Sequence, residues 1–196
     1  MKPARLEAFS DGVIAIIITI MVLGLQVPHG HAISDLKPLV PTFTTYALSF
    51  IYLGIYWNNH HHLLAVAKSV SGAILWANLH LLFWLSLFPF FTGWVGTSKY
   101  AKVPTFLYGC VLLGAAVAFF VLQGLIVRSQ GEGSLLKVAI GQDFKGKISL
   151  ACYATGIIFA PFFVWIAILF FIVVAIIWVI PDRRLETYVK SLSTGE

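Results

Sequence analysis

Residues 5–27 have the sequence RLEAFSDGVIAIIITIMVLGLQV, and this stretch decides how the rest of the chain is interpreted. The 12 residues after Asp11 are apolar or glycine, apart from Thr19. About 20 residues of helix cross the hydrocarbon core of a bilayer, so the stretch predicts a membrane-spanning helix. Charged groups in such a helix face protein or water rather than lipid. Besides Asp11, its first two turns carry three polar side chains: Arg5, Glu7 and Ser10.

A helical wheel at about 100° per residue divides this helix into two faces. One face, here named the aliphatic stripe, consists of Ile16, Thr19, Ile20, Leu23 and Val27. Ser10 and Asp11 fall far from the aliphatic stripe. Nearly every membrane helix has an apolar face, so periodicity alone does not distinguish a stripe that faces lipid or a bundle core from one that faces a pore.

The whole chain has the composition of an integral membrane protein. Its 196 residues are 59% hydrophobic and 11% charged, with a mean hydropathy of +0.90. Soluble domains carry about 25% charged residues. The length accommodates one domain, residues 1–196. The net charge of +5 is not accompanied by a basic run with interleaved aromatics, so no nucleic-acid partner is predicted. Cys110 and Cys152 lie in apolar segments and are expected to be buried thiols.

Six apolar segments predict an all-α, polytopic membrane protein with six transmembrane helices. The segments lie at about residues 5–27, 38–60, 72–95, 104–127, 148–159 and 161–180. Pro89 is expected to kink the third segment. Gly156 and Pro161 are expected to supply the turn between the last two. The hydrophilic stretch 128–147 predicts a surface loop, with a short helix over 134–141.

Lysine and arginine are distributed unequally between the two sides of a six-helix arrangement. One side receives Lys37, Lys99 and Lys102. The other side receives ten basic residues: Lys2, Arg5, Lys68, Arg128, Lys137, Lys145, Lys147, Arg183, Arg184 and Lys190. Because cytoplasmic loops of membrane proteins are enriched in these residues, both termini are predicted to be cytoplasmic, in a multi-pass protein of the cell membrane.

Arg5, Phe9, Ser10 and Asp11 have the spacing RxxxFSD at the start of a first membrane helix. In this motif the chain resembles a bacterial member of the transmembrane protein 175 family of lysosomal and bacterial potassium channels. The six-helix layout extends the resemblance over nearly the whole chain. The resemblance implies a homotetramer whose four first helices line the pore, with a constriction of aliphatic side chains instead of a carbonyl filter. By position after the motif, the constriction and selectivity residues are Ile16, Thr19, Ile20 and Leu23.

The histidine run at the end of the second segment has two interpretations. The run is either part of a metal site or a set of hydrogen-bonding partners for neighbouring helices. The resemblance favours the second, because the family holds the first-helix motif in a polar network. The candidate members are His60, His61, His62 and His80. For His80 itself, a packing hydrogen bond is favoured over proton handling. Arg5, Ser10 and Asp11 are predicted to hold helices or subunits together and not to bind the ion.

The leading functional hypothesis is a potassium-preferring cation channel with a hydrophobic constriction. It needs no cofactor and no metal, only the permeant potassium ion, and it is not an enzyme. Its expected partners are copies of itself, the lipid bilayer and monovalent cations. The alternative is a proton-leak or proton-coupled carrier, supported by Asp11 and the histidines near apolar segments. A membrane enzyme with a histidine-bound metal is the weakest hypothesis, since it needs three or four convergent ligands.

Overall fold

The computed structural model describes residues 2–131 and 144–179, and within these two ranges the chain is helical with no strand. The all-α fold is therefore confirmed for the described residues. A short 3-10 helix, Ile33–Leu39, leads into the second helix. The helices are α1 Pro3–Val22, α2 Val40–Ala65, α3 Gly72–Ser86, α4 Phe88–Thr97, α5 Lys102–Ser129, α6 Phe144–Phe159 and α7 Val164–Val179.

The helices pack around α5, which contacts α3, α4, α6 and α7. The α1 helix packs against α2, α3 and α4 on the other side of the bundle. Small side chains let neighbouring helices approach α5 closely. Close approach matters because a membrane bundle is held by van der Waals packing rather than by a hydrophobic driving force between helices. Ala115 and Ala118 on α5 are fully buried. A side chain added at Gly114 would meet the ring of Trp84 at 2.5 Å.

Three stretches of the described chain are long and apolar enough to cross a membrane: Ile33–Ala65, Gly72–Thr97 and Lys102–Ser129. The last helix, Val164–Val179, is apolar but shorter. Large apolar side chains, among them Trp76 and Trp165, are exposed on the outside of the bundle. In water such a surface would be unfavourable, so the outside is suited to lipid.

The first helix is shorter at its end than the sequence indicates. It runs from Pro3 to Val22, and turns and bends follow up to Leu25. The backbone N–H groups of Leu23, Gly24 and Leu25 each bond to the carbonyl three residues earlier, which tightens the last turn and ends the helix. Val27, assigned to the aliphatic stripe, therefore lies outside the helix.

The third predicted segment is two helices, α3 and α4, separated at Leu87. Pro89 lies in the first turn of α4 and has no N–H for the carbonyl of Leu85, so the α-helical ladder is interrupted there. The N–H of Leu87 bonds instead to the carbonyl of Trp84 at 3.3 Å. The prolyl residue expected to kink one helix thus begins a second one.

The hairpin of α6 and α7 turns at residues 160–163, which include Pro161. Gly156, expected to contribute to this turn, lies inside α6. A Cβ atom at Gly156 would lie 2.7 Å from the ring of Phe171 on α7, so this glycine serves close helix packing. The helix predicted over residues 134–141 lies outside the described residues.

The turn between α4 and α5 is fixed by Tyr100. Lys99 and Tyr100 have φ angles of 51° and 61°, in the left-handed region that non-glycine residues seldom adopt. The Tyr100 hydroxyl bonds to the hydroxyl of Thr44 and to the carbonyl of Pro41 at the start of α2. These bonds hold the unfavourable backbone conformation and connect the ends of α2, α4 and α5.

Candidate functional site

The α1 helix has one face inside the subunit and one face outside it. Ser10, Ile14 and Ile17 are buried against the bundle, together with Leu6 and Met21. Ile16 and Ile20 of the aliphatic stripe lie on the opposite side, as does Leu23, the residue that directly follows α1. Their exposed fractions are 58% for Ile16, 51% for Ile20 and 80% for Leu23. A single subunit therefore leaves this aliphatic surface uncovered.

Thr19 is also exposed on this outer face. Its hydroxyl donates to the carbonyl oxygens of its own helix, with distances of 3.1 Å to Ala15 and 2.9 Å to Ile16. Such back-bonding satisfies the donor in an apolar setting. It leaves the hydroxyl oxygen on the outer surface, beside the Ile16 and Ile20 side chains.

On the inner face of α1, Ser10 begins a buried polar network that joins three helices. The Ser10 hydroxyl donates to the carbonyl of Leu6 at 2.9 Å and accepts from the Nδ2 of Asn78 on α3 at 2.9 Å. The Oδ1 of Asn78 lies 2.7 Å from the Nε2 of His60 on α2. Ser10, Asn78 and His60 all have no exposed surface. Because buried polar groups are costly without partners, this network selects one arrangement of the three helices.

Two histidine nitrogens near this network have no hydrogen-bonding partner among the described residues. They are the Nδ1 atoms of His60 and His62. The described histidine, cysteine, aspartate and glutamate side chains include no group of three or more placed to hold a metal ion. The geometry of the described part of the chain thus offers no support for a metal cluster in the histidine run.

The acidic residues of α1 contact the end of α2. The indole Nε1 of Trp57 donates to Asp11 Oδ1 at 3.1 Å. His61 Nδ1 lies 2.5 Å from Glu7 Oε1, and both side chains are partly exposed. Asp11 and Glu7 therefore connect α1 to α2 on a surface separate from the aliphatic stripe.

Arg5 and Phe9, the other two residues of the RxxxFSD motif, take no part in these contacts between helices, and neither does His80. Arg5 and Phe9 are exposed on α1, and Arg5 forms no ion pair within residues 2–131 and 144–179. His80 Nε2 accepts from the indole of Trp84, one turn along α3, at 2.9 Å. Of the four histidines predicted for a polar network, His60 and His61 bond to other helices, whereas His80 bonds within its own.

Two partners in these contacts were not assigned from the sequence. Asn78 is a polar residue inside an apolar segment, and that is a signal for a buried hydrogen bond. Trp57 carries no comparable signal, because an indole at the end of an apolar helix is typical of the membrane interface. A single sequence does not show which residues of different helices meet.

Several known proteins are similar to this chain in sequence. The sequence model of the family "Endosomal/lysosomal potassium channel TMEM175" matches residues 5–89. A potassium channel of Chryseobacterium sp. (strain P1-3) is 55% identical over 190 residues, which are 97% of this chain and 99% of that protein. The chain belongs to the TMEM175 family. The family predicted from the RxxxFSD motif is confirmed, and this TMEM175 chain is related to channels and not to enzymes.

A solved TMEM175 structure has the same fold. The crystal structure of a lysosomal potassium-selective channel TMEM175 homologue from Chamaesiphon minutus superposes with a TM-score of 0.77 at 25% identity. The superposition covers 92% of this chain and 97% of that chain. The human endosomal/lysosomal proton channel TMEM175 is 30% identical over 116 residues, which are 53% of this chain and 23% of that protein.

Proposed function

We propose that this TMEM175 protein is a potassium-preferring cation channel in which four copies surround a pore with their α1 helices. The observation that carries the proposal is the exposure of Ile16, Ile20 and Leu23 on a helix whose opposite face is fully packed. A lipid-facing stripe would also be exposed. Relatives named potassium channels favour the pore, since they match this chain along nearly its full length.

In the proposed tetramer, the three aliphatic side chains form three stacked rings. The residues are four and three positions apart, so the rings are separated by about 6 and 4.5 Å along the helix. A narrow aliphatic ring offers an ion no ligands, and the ion must give up part of its hydration to pass. Potassium is more weakly hydrated than sodium and loses less, which gives a modest preference. The same narrow apolar section closes by dewetting after a small inward shift of the helices.

The proposed membrane arrangement has six spans for each subunit and both termini in the cytoplasm. The unequal distribution of basic residues supports it, with ten on one side and three on the other. The contacts of Ser10, Glu7 and Asp11 lie away from the aliphatic stripe, which supports a structural role for the motif. In this proposal no cofactor takes part, and the permeant ion is potassium.

Ile16 is proposed as the tightest ring, and its replacement tests the function directly. We expect Ile16→Ala to widen the pore and raise potassium flux about tenfold, equivalent to a barrier about 1.4 kcal/mol lower. The potassium-to-sodium permeability ratio should fall. Ile16→Asn should also raise flux, because an amide wets the pore. Flux is measured in proteoliposomes under bi-ionic conditions.

Ile17 provides the matched control, because it is the next residue on α1 but is buried against the bundle. We expect Ile17→Ala to reduce the free energy of unfolding by about 2–4 kcal/mol and to leave the permeability ratio unchanged. Wild-type flux and wild-type selectivity in both Ile16 variants, in correctly assembled protein, would contradict the constriction.

Proton conduction is the second candidate function. The close contact between Glu7 on α1 and His61 on α2 favours it, because a carboxyl and an imidazole in hydrogen-bond contact are groups that relay protons. The human relative named a proton channel favours it as well. Potassium flux measured in liposomes with and without a proton gradient distinguishes the two functions. When potassium is absent, a proton carrier still acidifies the liposome lumen in response to the gradient.

A further inference from the structure

The segment between α1 and α2 carries exposed apolar side chains that a single subunit does not cover. This segment, residues 23–39, is here named the collar. Val27 and Ile33 in the collar are 84% and 87% exposed. Trp76, on the outside of the bundle, is 75% exposed. The collar therefore presents apolar side chains at least as fully as the surface that is suited to lipid.

An apolar groove lies between the collar and the first turn of α2. Its volume of about 520 Å³ is within the range of about 300–1,000 Å³ that is usual for binding sites in proteins. Its walls include Leu25, Val27, Leu36, Leu39 and Phe43. Ile33, at the beginning of the 3-10 helix, does not line this groove. The collar thus combines an open apolar groove with a separate, protruding apolar side chain.

Several features place the collar at the membrane surface and not within lipid. The α2 helix has 26 residues, which is enough to cross a bilayer without the 3-10 helix that precedes it. Residues 26–32 form neither helix nor strand, and such backbone does not occur where it is exposed to the hydrocarbon region. The polar side chains of His31 and Lys37 are exposed beside Ile33 in the sequence. Exposed apolar surface at such a place is typical of a contact with another protein.

The position of the collar indicates that this other protein is a second copy of the chain. Leu23 belongs to the aliphatic stripe, and the groove begins two residues later at Leu25. If four α1 helices surround a pore, their collars meet around the end of that pore. The groove is thus continuous with the surface by which the copies are proposed to face one another.

We propose that Ile33 of each copy inserts into the groove of the next copy, so that the four collars form a closed ring. This contact rests on the tetramer of the proposed function. Ile33 and the groove are different surfaces of the chain, and contacts between unlike surfaces generate a ring when the rotation between copies closes. The ring fixes the ends of the four α1 helices at the mouth of the pore without adding a side chain to the constriction.

Disulfide formation between two differently tagged full-length chains tests this contact. Both chains lack Cys110 and Cys152, one carries Ile33→Cys and the other carries Phe43→Cys. We expect a covalent heterodimer after mild oxidation in membranes, because a disulfide forms only between closely apposed positions. Ile33→Cys alone should give no homodimer, because a contact between unlike surfaces does not pair a residue with its own copy.

Phe162 provides the matched control for cross-linking. It is 68% exposed in the turn between α6 and α7, which the proposed six-span arrangement places on the same side of the membrane as the collar. Chains with Ile33→Cys and Phe162→Cys should not form a heterodimer. Equal yields from the Phe43 and Phe162 positions would show random collision and overturn the contact.

A charge at Ile33 tests the contribution of the contact to assembly. We expect Ile33→Asp to raise the dissociation constant of the tetramer about tenfold, because the carboxylate would have to enter an apolar groove. Ile33→Leu and the control Phe162→Asp should leave it unchanged. The measurement is energy transfer between labelled chains during dilution in detergent. Because Ile33 is exposed in the single subunit, its replacement does not disturb the core.

The outcomes separate this contact from the proposed pore. Dimers of Leu23→Cys without a heterodimer of Ile33→Cys and Phe43→Cys would overturn the ring of collars and leave the tetramer in place. An unchanged dissociation constant in Ile33→Asp would also overturn it, and would assign the collar to lipid headgroups or to another protein. A monomeric wild-type protein without either cross-link would overturn the proposed function together with the contact.

Discussion

At Asn78, one side chain connects three helices. Its Nδ2 donates to Ser10 on α1, so its Oδ1 faces His60 Nε2 on α2. An amide oxygen accepts only, which means that His60 Nε2 carries the hydrogen. In the neutral ring, His60 Nδ1 is then an acceptor, and it has no partner among the described residues. Among the described residues, the hydrogen bond of Nε2 to Asn78 is thus the only one that orients the His60 ring.

Removing the Asn78 amide should destabilise the subunit. Asn78→Ala leaves the Ser10 hydroxyl and His60 Nε2 buried without their partner, so the free energy of unfolding should decrease by about 2 kcal/mol. Denaturant unfolding in detergent measures it. Asn58→Ala, at a partly exposed position of α2, is the control and should change stability by less than about 0.5 kcal/mol. Equal effects of the two variants would show that the network does not stabilise the fold.

The sequence singles out Ser10, Asp11 and the histidines because polar groups in apolar helices need partners. It does not show the pairing of Asp11 with Trp57, which lies 46 positions away. The pairing depends on how α1 and α2 cross, and that is set by packing over their whole length.

Among the elements, α4 shows how closely the helices approach. A Cβ atom at Gly96 would lie 2.5 Å from the Cα of Thr42 on α2, which is backbone and not a movable side chain. This contact brings α4 against the first turns of α2. The same end of α2 is bonded to Tyr100, so two independent contacts fix it.

Adding a methyl group at this contact should separate α4 from α2. Gly96→Ala is expected to lower the free energy of unfolding by about 1–3 kcal/mol through overpacking. Gly93→Ala on the same helix is the control, since nothing lies within 4 Å of its Cβ position. Gly93→Ala should be neutral or slightly stabilising. Comparable losses of unfolding free energy in both variants would mean that α4 is destabilised by alanine at either position, and that the contact with Thr42 is not the cause.

Helix positions could be predicted better than helix ends. Long apolar runs indicate where each helix lies, since length and hydropathy are local properties. The end of α1 at Val22 depends on a few backbone hydrogen bonds, and no strongly polar residue marks it. Pro89 marks the break at Leu87, but the sequence does not show whether a proline kinks one helix or begins a second one. Gly156 suggested a turn, but its role in α6 depends on Phe171, which another helix supplies.

For the whole molecule, the proposed orientation makes a labelling prediction. In a background without Cys110 and Cys152, single cysteines are placed at exposed basic and polar positions. A membrane-impermeant maleimide added to intact cells should reach His31→Cys and Lys102→Cys. It should label Lys68→Cys and Lys147→Cys only after permeabilisation, because these positions are predicted to be cytoplasmic. Labelling of Lys68→Cys in sealed cells would contradict six spans with cytoplasmic termini.

The proposed tetramer makes a cross-linking prediction. If α1 surrounds a pore, the four Leu23 side chains converge near its axis. We expect Leu23→Cys to form a covalent dimer after mild oxidation in membranes. Leu169→Cys on α7 is similarly exposed in the subunit but is expected to face lipid, and it should remain monomeric. Dimers from Leu169→Cys with none from Leu23→Cys would place another helix at the centre.

Thr19 has a single hydroxyl hydrogen, which points to the carbonyls of Ala15 and Ile16. The oxygen consequently presents only lone pairs to its surroundings. In a pore of four first helices, these oxygens form a girdle of partial negative charge with no hydrogen to offer chloride. An anion entering it would lose water and gain no donor in return. The wall would thus discriminate by the sign of the ion's charge while containing no charged side chain, and it would do so at any pH at which the protein is folded.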